Sequence, residues 1–117
     1  MSQTPISHLT QGHCVPCEGG TKPLTRGEFA VYLPQLPEWK VSTDNLSISR
    51  NFTFENFKEA LAFVNSVGEI AESEGHHPDM NVHDWKYVVC TLSTHAIHGL
   101  SINDFILAAK IDAHIAI

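Results

Sequence analysis

A chain of 117 residues, 43% of them apolar and with a formal charge of −6, suffices for one domain with its own core and is too apolar to stay disordered. Its seven Lys and Arg are scattered, which argues against nucleic acid and anionic membrane surfaces, since both call for a clustered basic face. No stretch approaches the roughly 20 apolar residues of a membrane span, and Met1-Ser2-Gln3-Thr4-Pro5 lacks the basic-then-apolar pattern of a secretory signal. Three cysteines are an odd number and too few for a disulfide framework, so a reducing, cytoplasmic compartment is expected.

Residues 1–22 are polar and rich in Gly, Pro and Thr, and are expected to form an irregular arm ahead of a domain spanning 23–117. Thr25-Arg26-Gly27-Glu28 fits a capping box, predicting a short helix to Leu33 that Pro34 and Pro37 end. Trp39 and Val41 fall in a strand. Ser42-Thr43-Asp44-Asn45 supplies turn chemistry, and Leu46, Ile48, Arg50, Phe52 and Phe54 then alternate with polar residues as in a half-buried strand. Phe57, Ala60, Leu61, Val64, Val67, Ile70 and Ala71 recur at helical spacing, with Gly75 placed to stop the helix. Short strands are predicted at Met80 to His83 and Tyr87 to Leu92. A last helix opens with Ser101 as N-cap, Asp104 at the third position and a Leu100–Phe105 staple. It carries Ile102, Phe105, Ile106, Ala109 and Ala113 on one face. The order α-β-β-α-β-β-α predicts a single α+β domain, with a four-stranded antiparallel sheet and three helices packed on one face. The other face is left for a ligand or a second subunit.

Eight histidines occur, four of them between His76 and His95. Histidine titrates near neutral pH and is the commonest metal ligand, so the chemistry is sought there. Glu72, His76-His77-Pro78-Asp79, Ser93-Thr94-His95 and Asp104 all fall at element ends, where functional residues gather. Neighbouring side chains on extended backbone point to opposite sides, so His76 and His77 are expected to do different work. Plainer readings stand beside these. Glu72 fits a helix-surface acid, Asp104 a capping acid, Trp39 a core residue, Trp85 hairpin packing and Cys90 a buried strand residue. Cys14-Val15-Pro16-Cys17 lacks the second pair of a structural zinc site and the strand-to-helix context of a redox motif. His83, His98 and His114 read as surface residues.

With Glu72, His76-His77-Pro78, Trp85, His95 and Asp104 in this order, the sequence resembles the pterin-4a-carbinolamine dehydratases. His77-Pro78-Asp79, Ser93-Thr94-His95, Gly99-Leu100-Ser101, Asp104-Phe105, Trp39 and the Cys14–Gly20 arm extend the likeness over roughly residues 14–112. Met80 stands where some members carry an aromatic residue, and the stretch between His77 and His95 is one residue longer than in some. The resemblance implies His76, His77 and His95 as catalytic groups. It also implies Glu72, Pro78, Asp79, Ser93, Thr94, Asp104 and Trp39 as the substrate's surroundings. The substrate is then a pterin, the catalyst uses no metal and no bound coenzyme, and the product is a quinonoid dihydropterin of the kind recycled for aromatic amino acid hydroxylases. Loss of hydroxide from a carbinolamine needs protonation of the leaving oxygen and removal of a proton from the adjacent ring nitrogen, both suited to groups with pKa near the working pH.

Two other classes compete. A metal protein would use His76, His77, His95 and Glu72, although adjacent histidines rarely chelate one ion together. A binding module, as in relatives that serve as dimerisation partners of a transcription factor, would use an exposed apolar stripe on the last helix, Ile102 to Ile117. The same stripe would serve self-association, so a homodimer or homotetramer is expected.

Overall fold

In the computed structural model, which describes residues 8–15 and 21–115, alternation in the strands decides the architecture. Strands β1 (Lys40–Val41), β2 (Ile48–Thr53), β3 (Asp79–His83) and β4 (Tyr87–Leu92) form one antiparallel sheet in the order β1-β2-β4-β3. The register pairs Ile48 with Leu92, Arg50 with Cys90 and Phe52 with Val88, and β3 adds Met80 and Val82 to the same rows. Because side chains alternate across a strand, this face meets the helices. Ser49, Asn51, Thr53, Asp79, Asn81 and His83 share the open face with Tyr87, Val89 and Thr91.

Helix α1 (Arg26–Phe29) has the expected capping box, with the Thr25 hydroxyl on the Glu28 N–H and the Glu28 carboxylate on the Thr25 N–H. It ends sooner than predicted, and a 3-10 helix carries the chain on over Ala30–Gln35 with Pro34 inside it. In an α-helix the Pro34 ring would collide with the carbonyl four residues back, which belongs to Ala30. The tighter winding begins at that residue.

Helix α2 (Phe57–Glu74) starts on Asn56, whose side chain accepts the Glu59 N–H. Its buried stripe is Ala60, Phe63, Val67 and Ala71. Phe57 and Leu61, expected on the core face, are exposed, because the line of contact with the sheet runs through Phe63. The Phe63 ring packs at a tilt against Phe52 and Phe54, with ring centres 4.6 and 5.0 Å apart.

Helix α3 (Ile102–Ile115) is buried nearly all round from Asn103 to Ala109. The one-sided stripe expected of it is corrected accordingly, and so, up to Ile115, is the exposed apolar surface expected over Ile102 to Ile117, whose last two positions lie outside the described residues. The free flank is covered from both sides. Phe29 stacks on Phe105 at 5.5 Å, and a 3-10 turn at Leu9–Gln11 buries Leu9 in the same core. Burying one such leucine is worth about 1.5–3 kcal/mol, so this part of the N-terminal segment is packed structure. At the opposite end of the contact, Gly99 allows Pro23 to lie against the chain, where a Cβ would stand 2.6 Å from the proline Cβ.

Candidate active site

The cleft forms where the C-terminus of α2 meets the N-terminus of α3. Gly75 takes the left-handed conformation, φ +64°, which glycine enters without a Cβ penalty. Its N–H donates to the Glu72 carbonyl and the His76 N–H to that of Ala71, at 3.3 and 3.2 Å. These two bonds form the Schellman closure of the helix. The stop signal of α2 therefore also fixes where His76 and His77 leave it.

α3 begins with a cap built from buried polar groups. Thr94, Ser101, Asn103 and Asp104 are the polar residues buried among those described, and all four lie here. The directions of their hydrogen bonds follow from the donors available. The Asn103 N–H donates to the Ser101 hydroxyl at 3.2 Å. Thr94 donates its only hydroxyl hydrogen to Asp104 Oδ2 at 2.8 Å. The 2.7 Å contact between the two hydroxyls must then run from Ser101 to Thr94. The Ser101 N–H adds a bond to Oδ2 at 3.0 Å. The remaining oxygen, Oδ1, lies 2.6 Å from His76 Nε2. A carboxylate only accepts, so Nε2 carries the hydrogen and Nδ1 is the ring's other polar atom. No buried side-chain N or O among the described residues lacks a partner, so the network fixes the ring rather than straining it.

A cavity of about 220 Å³ opens in front of this network, lined by Val15, Gly75, His76, His77, Ser93, Thr94, His95, Ala96 and Asn103. The fold thus brings His76, His77, His95, Ser93 and Thr94 to one cleft, with Asp104 directly behind. His76 has only 11% of its side chain exposed, against 62% for His77. His77 Nε2 meets Glu72 Oε1 at 2.5 Å on the surface, a pairing of two exposed groups that adds little stability. His95 opens a 3-10 turn, His95–Ile97, and is exposed. That turn is closed by a bridge between Thr94 and Gly99. Pro78 is half-buried beside His77, and Asp79 starts β3 on the open sheet face.

Trp39 lies elsewhere. It is buried, its indole N–H donates to both Asp112 oxygens at 2.9 and 3.0 Å, and Arg50 holds the same carboxylate at 2.7 Å. Asp112 is two turns along α3 from Asp104, about 12 Å, so Trp39 serves the core and not the cleft. Burial pushes the Asp112 carboxyl up from its ordinary range, against the bonds from Trp39 and Arg50 that favour its charge. Trp85 sits at the tip of the β3–β4 hairpin, 60% exposed. Its φ of 55° follows 49° at Asp84, and Asp84, Trp85 and Lys86 carry the chain between the paired residues His83 and Tyr87.

Three contributors had no sequence signal. Glu74, Asn103 and Val15 are tied together across the fold. The Cys14 N–H donates to Glu74 Oε1 at 2.8 Å, and the Val15 N–H to Asn103 Oδ1 at 3.0 Å. Lys110 holds the second Glu74 oxygen at 2.9 Å. These partners lie 36 to 88 residues apart, beyond any local pattern. Burial works against the Glu74 charge, but the Cys14 N–H, Lys110 and His13 together hold its pKa down at about 2. Burial, with the Glu74 and Asp104 charges, pushes the Cys14 thiol up to about 12. The reactive thiolate that redox or zinc chemistry needs is therefore disfavoured at Cys14, while Cys17 lies outside the described residues. Cys90 is raised to about 12 by burial as well. Among the described residues no three His, Cys, Asp or Glu side chains are grouped as ligands for one ion.

Fold and cleft together define a small α+β protein that gathers three of its histidines and, among the described residues, its buried polar side chains at one cleft. A family model described as pterin 4 alpha carbinolamine dehydratase matches residues 22–114. A relative in Halorhodospira halophila, provisionally named a pterin-4-alpha-carbinolamine dehydratase, is 50% identical over 90% of this chain and 95% of its own length. One in Alkaliphilus metalliredigens, named likewise, is 49% identical over 92% and 96%. The chain belongs to the pterin-4a-carbinolamine dehydratase family. A transcriptional coactivator/pterin dehydratase from Brucella melitensis superposes with a TM-score of 0.72 at 30% identity, over 79% of this chain and 97% of that one. A pterin dehydratase-like RuBisCO assembly factor of the alpha-carboxysome shares the fold, with a TM-score of 0.55 at 23% identity over 65% and 87%.

Proposed function

We propose that this chain removes water from a 4a-hydroxytetrahydropterin by histidine general acid–base catalysis, as a step in tetrahydrobiopterin recycling. The observation that carries the proposal is the convergence of His76, His77 and His95 on one cleft, with His76 clamped to a buried acid. An acid protonates the 4a-hydroxyl, the C–O bond breaks and water leaves. A base takes the proton from the adjacent ring nitrogen, and the quinonoid dihydropterin remains. The two exposed histidines, His77 and His95, suit proton exchange with substrate and solvent. His76, fixed by Asp104, suits holding the pterin edge with Nδ1. Glu72 steadies His77, Ser93 and Thr94 line the ring's position, and Pro78 and Asp79 shape the exit of the loop. Both proton transfers are supplied by side chains, so the reaction requires neither a metal nor a coenzyme. The protein acts in the cytoplasm as a homodimer or homotetramer, a reading supported by the exposed Phe57 and Leu61 one turn apart on α2.

The test is the absorbance-followed dehydration of 4a-hydroxytetrahydropterin by wild type and His95→Ala, with and without chelator. Wild type should be fast and insensitive to chelation, and His95→Ala slower by about two to four orders of magnitude. Full activity in both His95→Ala and His77→Ala would overturn the catalytic assignment. No acceleration by wild type would turn the reading toward a binding module.

A further inference from the structure

Segment His13–Val15 crosses the gap between the C-terminus of α2 and the N-terminus of α3, the two ends that hold His76. Its hold there is specific. Asn103 is buried, and its side chain grips both backbone polar groups of Val15, accepting the N–H at 3.0 Å and donating Nδ2–H to the carbonyl at 2.5 Å. Glu74 takes the Cys14 N–H at 2.8 Å and is itself held by Lys110 at 2.9 Å. The Cys14 thiol donates to the Asn103 carbonyl at 3.5 Å. The gripped residue, Val15, lines the cavity although 60% exposed. A side-chain amide that pairs with both backbone groups of one residue fixes its orientation as a strand partner would. The result is a branched apolar side chain held at the rim of a cleft whose other lining is polar apart from Gly75 and Ala96, the setting in which a flat ring gains from apolar contact on one face.

We propose that Asn103 and Glu74 are positioning residues that hold Val15 as a wall of the pterin pocket, and that this wall sets affinity for the ring. The proposal rests on the dehydratase reading for the identity of the ligand. Neither residue touches the reacting atoms. Removing the wall removes contact that substrate and transition state share, which raises KM and leaves kcat nearly alone.

The experiment uses the full chain and three readouts: KM and kcat for dehydration, the Kd of 7,8-dihydropterin by calorimetry, and hydrogen exchange at the Cys14 and Val15 amides. Val15→Gly keeps the backbone grip, so exchange should stay at the wild-type rate, while KM and Kd rise about tenfold, the size of one lost apolar contact. Asn103→Ala should raise KM and Kd similarly and also speed exchange at Val15 by at least about tenfold. Unchanged KM and Kd in Val15→Gly would overturn the wall while leaving the dehydratase reading in place. Wild type that binds the dihydropterin without turnover would end the dehydratase reading, with the wall still decided by Kd. Wild type that does neither overturns both.

Discussion

Asp104 carries more of this site than any other side chain. It accepts three hydrogen bonds in a fully buried position, and one of them sets the tautomer and direction of His76. The capping role and the orienting role are not alternatives, since Oδ2 closes the helix start while Oδ1 reaches His76. Asp104→Asn has a single acceptor oxygen for the three donors and places an N–H among them. Turnover is expected to fall by about two to four orders of magnitude, as for other buried acids that orient a catalytic histidine, with a drop in Tm from the damaged cap. Steady-state kinetics beside a thermal melt check this, and wild-type kcat in a folded variant would remove Asp104 from the mechanism.

Among the elements, α2 does most to position chemistry, and it does so by the way it ends. Gly75 at φ +64° turns the chain so that His76 drops toward Asp104 while His77 stays outside. Gly75→Ala should cost about 1 kcal/mol of stability, because a Cβ is disfavoured in that conformation. A displacement of the histidines by about 1 Å should cost up to about a hundredfold in kcat. Denaturant unfolding and kinetics on one preparation separate the two effects. Loss of stability with no loss of rate would show that the turn does not set the histidines. The α2 surface offers a second test. Phe57 and Leu61 are exposed at i, i+4 spacing, and if they join subunits, sedimentation should give a dimer or tetramer for wild type at micromolar concentration and a smaller species for Leu61→Glu. A wild-type monomer would count against the proposed oligomer.

For the whole molecule, Glu74 links pH to stability. Its pKa is about 2 in the folded protein against an ordinary 4.5. Between those values the unfolded chain binds a proton that the folded chain does not, so stability falls as the pH drops through this window and is fully present above it. Urea midpoints at pH 6 and pH 3 should separate widely for wild type. Glu74→Gln should be weaker at pH 6 and should lose less on acidification. Equal losses in both proteins would show that the Glu74 anchor does not govern acid sensitivity. The anchor joins residues 13 and 14 to α2 and α3, so the acid transition is also expected to loosen the N-terminal segment at the cleft.

The sequence by itself determined whatever depends on local period and local caps. Strand alternation, the 3.6-residue repeat of α2, the Thr25 capping box, Gly75 as helix stop, and Ser101 with Asp104 at the start of α3 are each written within a few residues, and the order of elements follows from them. The unusual run from Glu72 to His95 marked where to look, since histidines at element ends have few structural reasons to cluster. Tertiary structure alone decided which apolar and polar residues end up inside. α3 is buried on nearly every side because Leu9 and Phe29 cover its flank, and no pattern within the helix announces that cover. Trp39 belongs to the core because Asp112 and Arg50 wait for it. At the end of α2 it is Glu74, not Glu72, that is drawn into the fold, because its partners come from residues 14 and 110. Asn103 faces Val15 across 88 residues of sequence. Burial and long-range pairing are properties of the assembled chain, and local periodicity carries no record of them.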